Sequence, residues 1–264
     1  MLLEERLGGG RRTDVFSALL DGGERAVVKI LRPALLTDEH ERRAFRREIE
    51  VAQRLDHDGV VRLRAWQDGD ELAYSVWERV GSPSLEEHLI AFGPLPFADA
   101  CAMGERLAQA LAHLHERDVV HLDVAPGNVT VGEVKLIDLG LARVGARGVR
   151  LTAPTGTAAY MSPEQCRAGD VDASSDVFGL AATLYEAMTG LTPFEVGEPD
   201  AAGAARYPQL EAEAQPLADL VPHCPPGVAA AIDASLARDP RRRPDARTLA
   251  RVLGDAAREL GVRR

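Results

Sequence analysis

Within the 264 residues the apolar pattern changes period once, and that single change limits the chain to an α+β architecture in two parts. Segments 14–20 and 25–31 are apolar-rich and flank Asp21-Gly22-Gly23, and segments 60–67 and 71–78 flank Asp68-Gly69-Asp70. Each pair reads as two strands joined by a tight turn. Between the pairs, residues 38–55 read as a helix. Thr37 can cap it, Asp38, Glu39 and Glu41 suit the positive end of its dipole, and Phe45, Ile49, Ala52 and Leu55 recur at helical spacing. From residue 84 the period is helical throughout. Ser84-Leu85-Glu86-Glu87 is a capping box, Leu107, Leu111 and Leu114 share one face of a helix over 97–117, and further helices are expected over 175–189, 226–237 and 246–260. Residues 79–83, Arg-Val-Gly-Ser-Pro, form the predicted hinge between a β-rich half, 1–78, and a mostly helical half, 84–264. No repeat or low-complexity linker interrupts either half.

A chain of this length can bury a full core. No uncharged run exceeds thirteen residues, so no membrane segment is expected, and Glu4, Glu5 and Arg6 directly after the start argue against a signal peptide. Cys101, Cys166 and Cys224 are scattered and odd in number, which points to a reducing, cytoplasmic setting. A formal net charge of −10 disfavours nucleic acid as a partner. The basic cluster Arg238, Arg241, Arg242 and Arg243 is broken by Asp239 and by proline, as a structural or solvated cluster would be.

Two positions resist a purely structural reading. Leu7-Gly8-Gly9-Gly10-Arg11-Arg12-Thr13-Asp14-Val15 places a glycine-rich turn between two strands, where backbone N–H groups can approach phosphate oxygens; a hairpin with no ligand fits the same residues. Lys29 stands in the apolar run Ala26-Val27-Val28-Lys29-Ile30, and Glu48 stands on the apolar face of the 38–55 helix. An unpaired charge in either place is strongly unfavourable. A Lys29–Glu48 ion pair resolves both difficulties, and outward snorkelling of each side chain is the alternative.

The most informative stretch is His121-Leu122-Asp123-Val124-Ala125-Pro126-Gly127-Asn128, followed by Asp138-Leu139-Gly140. It resembles the catalytic loop, H-R-D-x-K-x-x-N, and the D-F-G motif of the eukaryotic-like (bacterial Hanks-type) serine/threonine protein kinases. Further blocks follow in order: Gly156 to Glu164 resembles G-T-x-x-Y-M-A-P-E, Ser175-Asp176-Val177-Phe178 resembles S-D-V-Y, and Asp239-Pro240 to Arg243-Pro244 resembles D-P-x-x-R-P. The resemblance implies one two-lobe kinase domain over residues 1–264 that uses ATP and Mg²⁺ to phosphorylate a Ser/Thr hydroxyl of a protein. It implies Asp123 as catalytic base, Lys29 on the ATP phosphates with Glu48 orienting it, and Asn128 and Asp138 as metal ligands. It places Leu7, Gly8, Gly10, Val15, Val27, Trp77 and Thr130 around the nucleotide, with the backbone near Glu78 and Val80 bonding adenine. Glu164 and Arg243 are expected to form a buried structural ion pair.

Five positions depart from that pattern. Thr13 replaces the third glycine of the loop. Trp77 and Val27 are bulkier than usual, and either narrow the slot or repack around it. Leu122 replaces the arginine that receives an activation-loop phosphate, which puts switching through Thr152 or Thr155 in question. Ala125 replaces the lysine that contacts the γ-phosphate. Arg11 and Arg12, at the tip of the glycine-rich turn, are candidates to supply that charge; two solvated loop arginines are the alternative. Three activities are thus in view: an active kinase, a pseudokinase that binds nucleotide or acts as a scaffold, and a small-molecule phosphotransferase. The basic residues add one clue, since Lys29 and Lys135 are the only lysines among thirty-one. Lys29 has a task that suits a compact ammonium, whereas Lys135 reads as ordinary surface charge.

Overall fold

A computed structural model describes residues 1–261; the last three positions of the 84–264 half lie outside the described residues. The first half is a five-stranded antiparallel sheet with one helix. Its strands are β1 (Leu2–Gly9), β2 (Thr13–Leu19), β3 (Arg25–Leu31), β4 (Leu63–Asp68) and β5 (Ala73–Glu78), ordered β1-β2-β3-β5-β4, with α1 (Glu39–Ala52) between β3 and β4. Both expected hairpins are present, and Gly22 and Gly23 take the positive φ that the β2–β3 turn requires. The helix starts one residue later than Thr37 would have it. Asp38 caps it, in extended geometry, and its carboxylate accepts from the N–H groups of His40 and Glu41.

Residues 79–84 carry neither helix nor strand, and beyond them the chain turns helical. α2 (Leu85–Phe92) begins on the Ser84–Glu87 capping box, and α3 (Phe97–Glu116) runs beneath it. Short β6 (Val119–Val120) and β7 (Arg143–Val144) pair with each other, as do β8 (Val149–Arg150) and β9 (Asp170–Val171) on either side of α4 (Pro163–Cys166). Then come α5 (Ala173–Thr189), α6 (Leu217–Leu220), α7 (Pro226–Ser235) and α8 (Ala246–Glu259). α5 is buried along nearly its whole length, and α3 and α8 pack against each other and against the same core. This core continues into the sheet half through Val51, Val60, Val61 and Trp77. The halves are also stitched together by backbone, since Val61 donates to Leu136 O and Leu136 donates to Gly59 O, each at 2.9 Å.

Candidate active site

The cleft between the halves holds a cavity of about 560 Å³. β1, β2 and β3 supply Leu7, Val15 and Val27 to its roof, Trp77, Glu78 and Val80 form its rear edge, and Thr130 forms its floor. Lys29, Asn128 and Asp138 complete the wall. A Cβ at Gly8 or Gly10 would meet nothing within 4 Å, whereas one at Gly9 would lie 2.8 Å from Asp14 Oδ1. Within the turn itself the steric demand for glycine therefore falls on Gly9. Trp77 is buried, its indole N–H donates to Ser75 Oγ at 2.8 Å, and the Lys29 ammonium lies 5.2 Å from its ring centroid. Its bulk is thus absorbed by packing and by a cation–π contact.

Lys29 and Glu48 do pair. The ammonium lies 2.6 Å from Glu48 Oε1 and also 2.9 Å from Asp138 Oδ1. Burial alone would lower the Lys29 pKa, but the two carboxylates outweigh it and hold the ammonium above its ordinary value. Partial desolvation in the cleft acts to raise Asp138, and Lys29 together with the Gly140 N–H outweighs it, leaving the carboxyl below its ordinary range. Sheet, helix α1 and the segment after Asn128 are thereby drawn to one point.

Asp123 is held equally firmly. Its Oδ1 accepts from the backbone N–H and the hydroxyl of Thr157, and its Oδ2 accepts from Asn128 Nδ2, each at 2.8 Å. Since the Asn128 amide donates to Asp123, its oxygen is left to accept, and it stands with Asp138 on the wall of one cavity. Two hard oxygen donors on the wall of the cleft cavity are the donor chemistry that a magnesium ion takes. No group of three or more His, Cys, Asp or Glu arranged for a metal occurs among the described residues.

The loop carrying Asp123 is fixed from below by a residue that sequence reading left without a role. Asp176, fully buried at the start of α5, accepts from the N–H groups of His121 and Leu122, each at 2.8 Å, and lies 2.9 Å from His115 Nε2. Burial acts to raise its pKa, but His115, His121 and the donated N–H groups keep it low. Glu164 and Arg243 form the expected bidentate pair at 2.6 and 3.0 Å, with the guanidinium stacked over Phe178. Burial again opposes Glu164 ionisation, and Arg243 overcomes it.

Three placements differ from the sequence reading or decide between its alternatives. Arg12 is engaged by Glu41, a buried carboxylate on α1, through its Nε, and Arg11 approaches the same carboxylate at 3.5 Å; neither lines the cleft cavity. Leu122 packs with Val120, Ala146, Leu151 and Val171, so an apolar cluster stands where a phosphate receptor would be. Lys135 is not surface charge: it is 6% exposed and its ammonium lies 2.6 Å from Glu78 Oε1.

The sequence matches the family model of the protein kinase domain over residues 2–252. It is 33% identical over 245 residues to the serine/threonine-protein kinase PrkC of Bacillus subtilis, covering 90% of this chain and 37% of that protein. The probable serine/threonine-protein kinase PknB of Corynebacterium glutamicum is also 33% identical over 245 residues, covering 88% and 37% respectively. The serine/threonine-protein kinase PknL of Mycobacterium tuberculosis is 31% identical over 268 residues, covering 99% and 66%. The chain spans little more than a third of the length of the first two.

Proposed function

The chain belongs to the protein kinase family, and on that premise we propose that it is an ATP-dependent serine/threonine kinase whose acceptor is a hydroxyl of a protein. The observation that carries this reading is the Lys29 ammonium bridging Glu48 and Asp138 at the wall of the cleft cavity. Holding a largely enclosed ammonium between two carboxylates is costly, and a phosphate-binding task accounts for it. Residues 1–78 serve as the nucleotide-covering lobe, 79–83 as the hinge and 84–264 as the lobe that receives the acceptor.

The roles proposed are those that the family resemblance implies, and the geometry supports them. Leu7, Val15, Val27 and Thr130 sandwich adenine, the backbone at Glu78 and Val80 bonds its edge, and the glycine-rich turn with Gly8 and Gly10 covers the phosphates. Lys29 takes the α- and β-phosphates, and Glu48 keeps it in place. Asn128 and Asp138 would hold magnesium, which would supply charge to neutralise the phosphate oxygens. Asp123, oriented by Thr157 and Asn128, accepts the proton of the incoming hydroxyl. No helix among the described residues is long and apolar enough to cross a membrane; the three free, buried cysteines support a proposed reducing, cytoplasmic setting.

A second reading, a pseudokinase that binds nucleotide with little transfer, is favoured by one specific observation. Ala125 brings no cation, and Arg12, which could have done so, is committed to Glu41. The third, a small-molecule phosphotransferase, is disfavoured by the ledge built from Gly156 to Glu164 and locked by Arg243. Incubation with Mg-ATP and a generic protein acceptor separates them. Phosphoprotein that depends on Asp123 and Lys29, tested as Asp123→Asn and Lys29→Met, supports the kinase; nucleotide-dependent thermal stabilisation without transfer supports the pseudokinase.

A further inference from the structure

Lys135 and Glu78 meet at the hinge, where Glu78 lines the cleft cavity and Lys135 lies outside its wall. Glu78 is the last residue of β5, paired with Ala26 of β3, and its N–H donates to Arg62 O at 2.9 Å. Its Oε1 accepts twice, from Arg62 N–H at 3.0 Å and from the Lys135 ammonium at 2.6 Å. Lys135 also holds the floor. Its N–H donates to Thr130 Oγ1 and its carbonyl accepts from Thr130 N–H, both at 3.0 Å. Glu78 and Thr130 both line the cleft cavity, so one residue binds its rear edge through a side chain and its floor through the backbone.

We propose that Lys135 is the positioning residue of the adenine slot: through the Glu78 carboxylate it fixes the hinge backbone against Thr130 at the separation a flat purine needs. This inference rests on the nucleotide-binding reading above. Lysine suits the place for a stated reason. The ammonium is nearly enclosed and has one buried carboxylate partner; Glu133, at 3.4 Å, is more than half exposed and adds little. A guanidinium would bring five donors in a broad plane to a position with acceptors for few of them. In a chain that otherwise uses arginine almost everywhere, both lysines stand in largely enclosed ion pairs with a carboxylate: Lys29 with Glu48, and Lys135 with Glu78. One anchors the phosphates, and the other sets the seat of the base.

The test is calorimetric titration of the full chain with adenosine and, separately, with inorganic tripolyphosphate plus Mg²⁺, in Lys135→Met, Glu78→Gln and the double variant. Each single variant strands a buried charge and is at risk of misfolding, so the double variant, which removes both charges, is decisive. The expected result is adenosine affinity weakened about tenfold, the equivalent of one well-made hydrogen bond to the base. Tripolyphosphate, seated by Lys29, stays within about twofold of wild type. Adenosine binding unchanged in the double variant overturns the inference, as does an equal loss of both ligands, which would mark general loosening. Wild-type protein that binds neither ligand overturns the nucleotide-binding reading itself, a different failure from the first two.

Discussion

On the proposed kinase reading, Ala125 leaves the cleft one cation short at the point where negative charge would gather during phosphoryl transfer. Removing a preorganised charge-stabilising group costs roughly 3–4 kcal/mol of transition-state stabilisation in comparable sites. Restoring it is the direct test: Ala125→Lys is expected to raise kcat by about 10²-fold with the KM for ATP within about twofold, read in steady-state phosphorylation. A kcat that does not move would show that this charge does not limit transfer here. Arg12 gives the complementary expectation. Because its guanidinium serves Glu41, Arg12→Ala should leave kcat within about twofold and lower stability by on the order of 1–3 kcal/mol in urea unfolding, less than for a fully enclosed pair since Arg12 is one-third exposed. The reverse outcome, intact stability and collapsed turnover, would return Arg12 to the γ-phosphate.

At the scale of elements, the segment between Asp138 and α4 is held by packing. Leu122, at the turn before Asp123, joins Ala146, Leu151 and Val171, and the β8–β9 pair closes over them. Leu122→Ala should therefore cost about 2–5 kcal/mol, as a buried Leu truncation does, and expose residues 145–157 to limited proteolysis. Thr152→Glu and Thr155→Glu, having no arginine at position 122 to meet, are expected to leave kcat within about twofold; a large rise from either would refute the packing account. The Glu164–Arg243 pair ties α4 to the segment before α8, Arg243 also donates to Ser174 O at the start of α5, and Arg243→Ala should cost about 3–5 kcal/mol because Glu164 stays largely enclosed without its partner. The elements were legible because their cues are local: turn glycines, the Ser84 capping box, the leucines of α3. Lys29 and Glu48 were legible for a related reason, each being a charge in an apolar run that needed a partner. Asp138 as a second partner of Lys29, Asp176 beneath the catalytic loop and Glu41 beside Arg12 were not, because each joins positions far apart in sequence whose local surroundings look satisfied. Lys135 was misread on the same ground: nothing beside it in the sequence reveals that the Glu78 carboxylate at the end of β5 reaches it.

At the scale of the whole molecule, the question is whether sheet half and helical half unfold separately. A flexible link would allow it, but the main core runs unbroken from Val51, Val60 and Trp77 to the interior of α3, α5 and α8. Three further ties cross the same boundary: Lys29 to Asp138, Glu78 to Lys135, and the backbone hydrogen bonds between Leu136 and residues 59 and 61. Parting the halves would bare apolar surface from both faces of that core and strand buried charges on each side. The sequence supplies a clean pair of probes. Both tryptophans, Trp66 and Trp77, lie in the sheet half, so their fluorescence reports its loss, while far-UV circular dichroism is dominated by the helical half. The two signals are expected to give coincident urea transitions with a single midpoint. Lys29→Met removes one tie and leaves the core intact, so the curves should shift together toward lower urea without separating. Two resolved midpoints in the unmodified protein would mean that the shared core contributes less than the charges around it, and that the halves behave as two domains.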